Sequence, residues 1–328
     1  MKFSDFFYAW LYGPEGYYTE NKNIGKKGDF YTAVSASKYF GGSIGSWLVK
    51  RIEAGALPEN TVVCEIGADK GYLLADMVQF IYTLKPELLR TLRFVTVERF
   101  ESVRQMQRDY FAESFGDAVK LEQVADLSEL SEETGFVVAN EILDAFPCEL
   151  VWKEQMAEVE DFGIIWKPWP DAIKAHCQKY GIVKGEVGVG YDDLARSVAG
   201  AFEKCEFVTF DYGDMAPRND FSVRIYKEHK TLPYFEADIP ASFRNSDLTY
   251  DVHFGHVKDV FEEVGFRFAD YAVQSKALEK FGLFELMEML QKNVPHEVFM
   301  KEAGKIKQLI HPEILGERFK MIRFEKGI

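Results

Sequence analysis

Val62-Val63-Cys64-Glu65-Ile66-Gly67-Ala68-Asp69-Lys70-Gly71-Tyr72-Leu73-Leu74 reads as a strand, a turn and the start of a helix. Apolar Val62 to Cys64 suit a buried parallel strand, the glycines free the backbone for a tight turn, and Tyr72 to Phe80 carries helical apolar spacing. Such a turn sets a helix N-terminus, with unpaired N–H groups and a partial positive charge, beside the carboxyl end of a parallel strand. That is where nucleotides settle in open α/β sheets. On the glycines alone, a strand-helix turn with no ligand is the alternative. Glu65 sorts the cofactors. An acid inside the turn repels a pyrophosphate but can accept a hydrogen bond from the cationic amino group of a methionine moiety, which favours S-adenosylmethionine over NAD or ATP.

Downstream, Leu92 to Val97 is a second apolar strand ending at Glu98, the separation at which an acid binds both ribose hydroxyls in doubly wound nucleotide sites. Lys120 to Ala125 reads as a third strand ending in Asp126-Leu127. Gly135 to Ala139 is a fourth, ending in Asn140-Glu141-Ile142-Leu143-Asp144-Ala145-Phe146-Pro147. Four successive strand ends thus carry Glu65, Glu98, Asp126 and Asn140, and one cleft can gather them.

Upstream, Met1 to Leu11 has an amphipathic, aromatic-rich helical pattern. Asn21 to Lys27 is a polar, basic loop, a candidate lid, and Ser35 to Ala54 reads as one long helix with Phe40, Ile44, Trp47, Leu48 and Ile52 on one side. After the fourth strand the simple alternation breaks. Glu149 to Trp152 and Gly163 to Trp166 suggest a hairpin or extra strands, Asp192 to Glu203 a helix, and Glu206 to Phe210 a buried strand ending in Asp211-Tyr212-Gly213-Asp214. Val223 to Tyr226 is extended, Val257 to Glu263 and Lys276 to Gln291 are helical, and Phe319 to Phe324 is a closing strand. Helices over Ser275 to Ile310 pack as a cap beside the sheet. The expected division is N-terminal helices and lid over 1–60, a Rossmann-like core over 61–230, and a helical cap with closing strands over 231–328.

At 328 residues and 47% hydrophobic content the chain can bury a large core. No run approaches a membrane-spanning length and Met1 to Tyr12 lacks the build of a signal peptide, so a cytoplasmic protein without a membrane role is expected. A net charge of −14 disfavours nucleic acid and suits a basic protein or peptide partner. Cys64, Cys148, Cys177 and Cys205 are widely spaced and read as structural thiols in a reducing compartment. No zinc spacing occurs, and His253 with His256 has no third ligand nearby, so no metal is expected.

These residues together resemble the MidA-like family of S-adenosylmethionine-dependent methyltransferases, which includes the mitochondrial protein-arginine methyltransferase that assists complex I assembly. Gly28-Asp29-Phe30-Tyr31-Thr32-Ala33, the Glu65 to Gly71 turn, Val97-Glu98 with Gln107, Ala139-Asn140-Glu141 and Asp144-Ala145-Phe146-Pro147 carry the likeness. So do Asp211-Tyr212-Gly213, Asp247-Leu248-Thr249, Leu315-Gly316-Glu317 and Phe319-Lys320. The resemblance implies a class I (Rossmann-like) methyltransferase fold, an α/β architecture with a seven-stranded, mostly parallel sheet and an added helical cap. The expected cofactor residues are Gly28, Asp29, Thr32, Glu65, Gly67, Ala68, Gly71, Glu98, Arg99, Asp126, Leu127 and Asn140. Three departures stand out: Asp69 where the family turn has glycine, Val34-Ser35-Ala36 where it has a Pro-Glu-Ile-like run, and an exchange of the usual His and Asp at Asp251 and His253.

For an arginine acceptor, carboxylates must hold the guanidinium by bidentate hydrogen bonds so that one terminal nitrogen can attack. Glu141 and Asp144 follow the fourth strand, where this fold delivers substrate groups, and Tyr212 can wall the opening. Glu141 has a second reading as a cap on a turn at Ile142. The rival functions are a cofactor-binding assembly protein with little turnover, a methyltransferase for a small molecule or another side chain, and an NAD-dependent oxidoreductase.

Overall fold

The computed structural model describes residues 1–19, 32–227 and 230–328. Helix α1 (Phe3–Leu11) precedes a single turn, α2 (Ala33–Ala36), and α3 (Tyr39–Glu53). Strands and helices then alternate: β1 (Val62–Ile66), α4 (Tyr72–Leu84), β2 (Arg93–Val97), α5 (Glu101–Phe115), β3 (Leu121–Val124) and β4 (Glu132–Asn140). Next come β5 (Cys148–Trp152), β6 (Gln155–Glu160), β7 (Gly163–Pro168), α6 (Asp171–Tyr180), β8 (Lys184–Gly188), α7 (Tyr191–Ala201) and β9 (Phe202–Asp214). They are followed by β10 (Arg224–Lys227), β11 (Lys230–Pro233), α8 (Ile239–Ser242), β12 (Asp247–Thr249), β13 (Val252–His253) and α9 (Phe254–Glu263). The chain closes with β14 (Arg267–Val273), α10 (Gln274–Phe281), α11 (Leu283–Asn293), α12 (His296–Ile310) and β15 (Phe319–Lys326).

The chain packs as two compact units that interleave along the sequence. One comprises Thr32–Asn140, Arg196–Phe210 and Glu262–Ile328; the other comprises the described residues of Met1–Tyr31 with Glu141–Ala195 and Asp211–Phe261. These units do not follow the three consecutive segments expected, 1–60, 61–230 and 231–328, because the chain leaves the sheet after β4 to build a second core and returns with α7 and β9.

In the first unit the strand order is β14-β15-β9-β4-β1-β2-β3. The four pairings from β9 through β3 are parallel, and β14 pairs antiparallel with β15. This is the seven-stranded, mostly parallel class I arrangement, with β13 pairing at the end of β9 as an eighth strand. β1 is buried on both faces, as an apolar run between covering helices requires. The register aligns Ile66 with Val97 and with Ala139, and Val97 with Val124. The carboxyl ends of β1, β2, β3 and β4 therefore lie along one edge, which sets Gly67, Glu98, Ala125 and Asn140 side by side.

The expected single helix over Ser35 to Ala54 is two. Thr32 and Ser35 form a reciprocal capping box that starts α2, Ser37 is extended and ends it after one turn, and the Ser37 hydroxyl accepts the Tyr39 N–H at 3.3 Å ahead of α3. On α3 the decisive signal is glycine. A Cβ at Gly41 would stand 2.7 Å from the Asp76 Cβ, and one at Gly42 would stand 2.7 Å from the Phe80 ring, so only glycine lets α4 lie this close. The expected helix over Lys276 to Gln291 is likewise two, α10 and α11. It breaks at Gly282, whose φ is +108° and whose missing Cβ would meet Ser46 Oγ at 2.7 Å. α10 and α11 pack on α3, and α10 also touches β14 and β15. The expected cap is thus present, while residues from Tyr234 to Phe261 belong to the other unit.

The second unit is built on two antiparallel sheets, β7-β6-β5-β8 and β11-β10-β12. Its core is aromatic: Phe3, Phe7 and Trp10 of α1 are fully buried and pack with Tyr234, Tyr250 and Phe243. The Trp10 indole N–H donates to the Ser246 carbonyl at 2.7 Å, which satisfies its polar edge. Gly213 and Asp214 at the end of β9 pair in parallel with Val252 and His253.

Candidate active site

The turn after β1 is left-handed at three positions: Gly67 (φ +69°), Asp69 (φ +42°) and Gly71 (φ +80°). Gly67 N–H donates to the Val97 carbonyl at 3.1 Å, which ties the turn to the end of β2, and Glu98 N–H donates to the Val124 carbonyl at 3.0 Å. Glu98 is half-buried, and its Oε1 accepts the Phe100 N–H at 2.9 Å. Among the described residues its Oε2 makes no hydrogen bond. Burial raises its pKa, against the lowering pull of that amide. The Gln107 amide, fully buried, locks the frame: Nε2 donates to the Asp69 carbonyl at 2.7 Å while Oε1 accepts from Thr96 and Gln123, both at 2.8 Å.

Glu65 is buried, and its Oε2 accepts the Leu74 N–H at 3.0 Å in the first turn of α4; burial holds its pKa well above the usual range. Its carboxyl therefore satisfies a helix N-terminus that Gly71, without a side chain, leaves uncapped. Ala68 is buried within the turn. Thr32 caps α2, and Asp126 caps the short turn Leu127–Glu129, its carboxylate accepting the Ser128 N–H at 2.8 Å. Leu127 is buried and Arg99 is exposed with its guanidinium over Phe100. Gly28 and Asp29, with the candidate lid, lie outside the described residues. Glu65, Gly67, Ala68, Gly71, Glu98, Arg99, Asp126, Leu127 and Asn140 fall on or beside the aligned strand ends.

A cofactor with a ribose fits this edge: a carboxylate oxygen open to hydrogen bonding stands next to a left-handed turn and a helix N-terminus. Asp69 departs from the glycine pattern and occupies a conformation that a side chain disfavours. Asp69→Gly therefore stabilises the fold by about 0.5–1 kcal/mol, while Asp69→Ala, which keeps the strain and loses only the carboxylate, does not. Denaturant midpoints of the two variants check this.

The acceptor candidates lie in the other unit. Glu141 follows Asn140 in the chain, is half-buried and holds φ +53°, an uncommon conformation for a non-glycine residue. It caps no helix, because residues 141–147 form a turn without helix, unlike the helical turn expected at Ile142. Asp144 is buried and raised well above the carboxylate range, first by burial, then by the charges of Asp211 and Asp247. Asp211 is fully buried and pushed up to about 8 by burial, while its amide donors pull the other way. Tyr18 OH donates to Asp247 at 3.0 Å. The Tyr212 ring, expected to wall the opening, carries the Arg224 guanidinium 5.2 Å from its centroid. Arg224 in turn is paired with Asp251, which also binds Arg218, so the aspartate at the exchanged position fixes the cation beside Tyr212. In sequence, Asp211 read only as one of several polar residues at a strand end, and Gln107 only as part of a motif; their hydrogen bonds span distances along the chain that spacing does not report.

His253 is in β13 and His256 on α9. Their rings join His176 and Tyr180 of α6, with His176 and His256 centroids 4.5 Å apart and His253 and Tyr180 4.7 Å apart. Among the described residues no three His, Cys, Asp or Glu side chains are arranged to hold a metal. Burial, with neighbouring imidazoles second, lowers the pKa of His176 to about 4 and of His256 to about 3. A pKa below the unfolded value means the unfolded chain binds more protons, so this stability is present above pH 6.5 and lost as pH falls toward those values. Each imidazole then costs roughly 1–2 kcal/mol by about pH 5. Desolvated carboxyls such as the half-buried Glu186, raised to about 7, act with the opposite sign. The clean measurement is therefore the difference from a His176→Phe, His256→Phe chain, whose advantage over the parent grows as pH is lowered from 7 to 5.

The chain matches the family model described as "Putative S-adenosyl-L-methionine-dependent methyltransferase" over residues 43–272. It is similar to the protein arginine methyltransferase NDUFAF7 homolog, mitochondrial, of Drosophila melanogaster, at 24% identity over 95% of this chain and 78% of that protein. The Homo sapiens protein of the same name is 22% identical over 93% of this chain and 75% of that protein. Among solved structures, a COG1565 superfamily member from Burkholderia thailandensis, bound to S-adenosyl-homocysteine, superposes with a TM-score of 0.84. It is 23% identical and covers 100% of this chain and 88% of that one, a likeness of fold. No helix among the described residues is long and apolar enough to cross a membrane.

Proposed function

The chain belongs to the S-adenosyl-L-methionine-dependent methyltransferase family, and from that premise we propose that it methylates an arginine in a basic segment of a partner protein. The observation that carries the cofactor half is the register that sets Gly67, Glu98 and Asn140 along one sheet edge. Glu98 would hold the ribose hydroxyls, the Gly67 to Gly71 backbone would approach the methionine moiety, and Arg99, Asp126 and Leu127 would border the same edge, with Gly28, Asp29 and Thr32 preceding α3. When bound, S-adenosylmethionine supplies an electrophilic methyl group on a sulfonium.

The acceptor half rests on the relatives named as protein arginine methyltransferases and on Glu141 and Asp144. Their carboxylates would grip the guanidinium in fork geometry, leave one terminal nitrogen with an available lone pair and aim it at the methyl group. The excess of acid over base, a net charge of −14, draws a basic partner. Burial and the charges of Asp211 and Asp247 raise Asp144 against the lowering pull of Arg224, and a guanidinium in direct contact would add to that pull and favour the charged form. A reducing compartment, the cytoplasm in the sequence reading, suits four cysteines that are buried and unpaired.

The strained, acidic Asp69 favours the second reading, a cofactor-binding assembly protein with little turnover. Calorimetry with S-adenosylmethionine and with NAD, followed by transfer of labelled methyl into a proteome extract and mass spectrometry of the labelled residue, decides between them. Label on arginine supports the proposal. Tight binding without label favours the assembly role, and label only on small molecules or lysine redirects the acceptor.

A further inference from the structure

We propose that Asp211 is the positioning residue of this methyl transfer: its buried carboxylate pins the backbone of the Leu143-Asp144 turn and of Tyr212, and so sets where Glu141 and Asp144 stand. The inference rests on the reading that Glu141 and Asp144 take the acceptor. Asp211 Oδ2 accepts the N–H of Leu143 at 2.8 Å and of Asp144 at 3.2 Å, while Oδ1 accepts the N–H of Tyr212 at 2.8 Å. Both carboxylate oxygens are thus used by main-chain donors. An amide in the same place has only one acceptor oxygen and cannot serve both groups.

The turn has no helix or strand of its own, so these bonds and their counterparts on the carbonyl side determine its course. Tyr191 OH donates to the Leu143 carbonyl at 3.0 Å, and Tyr250 N–H donates to the Asp144 carbonyl at 3.3 Å. Tyr191 and Tyr250 hydroxyls are themselves 2.8 Å apart. Glu141, two residues before Leu143, keeps its left-handed backbone just ahead of this pinned stretch; such strain persists only where the surroundings over-determine it. The charged and titratable groups around Asp211 and its partner Asp144 are Glu141, Tyr212, Tyr191, Tyr18, Tyr250, Asp247 and Arg224 with Asp251.

Asp211→Asn in the full chain tests this. Hydrogen exchange at the amides of Leu143, Asp144 and Tyr212 should speed up by tenfold or more, roughly, relative to amides of β1 and β4. S-adenosylmethionine affinity should stay at the parental value, while the turnover rate on an arginine-containing basic peptide falls about 100-fold, the size of a misplacement near 1 Å. Three N–H donors favour the ionised Asp211 carboxylate, pushed up to about 8, beside an Asp144 that is raised as well; the parental rate should rise as this pair ionises, and the variant, with only Asp144 left to titrate, should show that rise displaced to lower pH. Unchanged exchange at the three amides, or an unchanged turnover rate and pH profile, overturns the proposal. If Asp211→Asn does not fold, Tyr191→Phe decides, since it releases the same turn from its carbonyl side: slower transfer at parental cofactor affinity supports positioning, and full transfer overturns it. Absence of arginine label with the parental protein sinks the acceptor reading instead, and the exchange measurement still decides whether Asp211 holds the turn.

Discussion

Replacing Glu98 by alanine weakens S-adenosylmethionine binding about 5- to 150-fold, the ~1–3 kcal/mol carried by hydrogen bonds to a charged acceptor. The reason is position. Glu98 is the residue immediately after β2, and Val97 is in register with Ile66, so its carboxylate stands beside the Gly67 turn at the open end of the sheet. Oε1 is occupied by the Phe100 amide, which leaves Oε2 for a ribose hydroxyl among the described residues. Alanine also strips the Phe100 N–H of its acceptor, so Glu98→Gln is the necessary companion. Its carbonyl oxygen can keep the Phe100 bond while the negative charge is lost, and an intermediate affinity is expected. Calorimetry on both variants, with circular dichroism to confirm the fold, separates ribose binding from loop support. Parental affinity in the alanine variant would remove Glu98 from the cofactor site.

The sheet was legible because its strands are short apolar runs closed by polar residues, and parallel strands buried on both faces leave that trace in any sequence. The run Val62 to Ile66, the acid at Glu98 and the ends at Asp126 and Asn140 fall where strand-by-strand reading puts them. Helix breaks were less legible. Ser37 and Gly282 interrupt patterns whose apolar spacing continues through them: Ser37 is extended and its hydroxyl accepts the Tyr39 N–H, and Gly282 takes a left-handed turn that the approach of Ser46 and Lys50 leaves no room to fill. The second unit was least legible, since β5 to β8 and β10 to β12 pair in antiparallel sheets whose register depends on residues far apart in the chain. Asp211 shows the same limit at the level of one side chain. Nothing in the string Asp211-Tyr212-Gly213-Asp214 says that its carboxylate collects amides from residues 143 and 144.

Glu141→Gln keeps the parental S-adenosylmethionine affinity and lowers the rate of methyl transfer to arginine about 100-fold, a loss of roughly 2.7 kcal/mol of transition-state stabilisation. The substitution is nearly isosteric, and glutamine accepts the left-handed backbone at this position no worse than glutamate, so the turn held by Asp211 should persist. What changes is the pairing. A carboxylate receives two guanidinium N–H groups, whereas a carboxamide presents one acceptor and turns two donors toward a cation. The guanidinium then loses the partner that orients it and localises its charge, an effect felt as the nitrogen attacks and therefore read in turnover more than in cofactor binding. Lysine should be a poor acceptor for the parental protein, because an ammonium is a point charge without fork geometry and must lose a proton before it can attack. Parallel assays with arginine and lysine versions of one basic peptide, each read by mass spectrometry, test both halves. Full transfer by Glu141→Gln, or label on the lysine peptide at the arginine rate, would eliminate the carboxylate grip and leave a methyltransferase that positions its acceptor by other means.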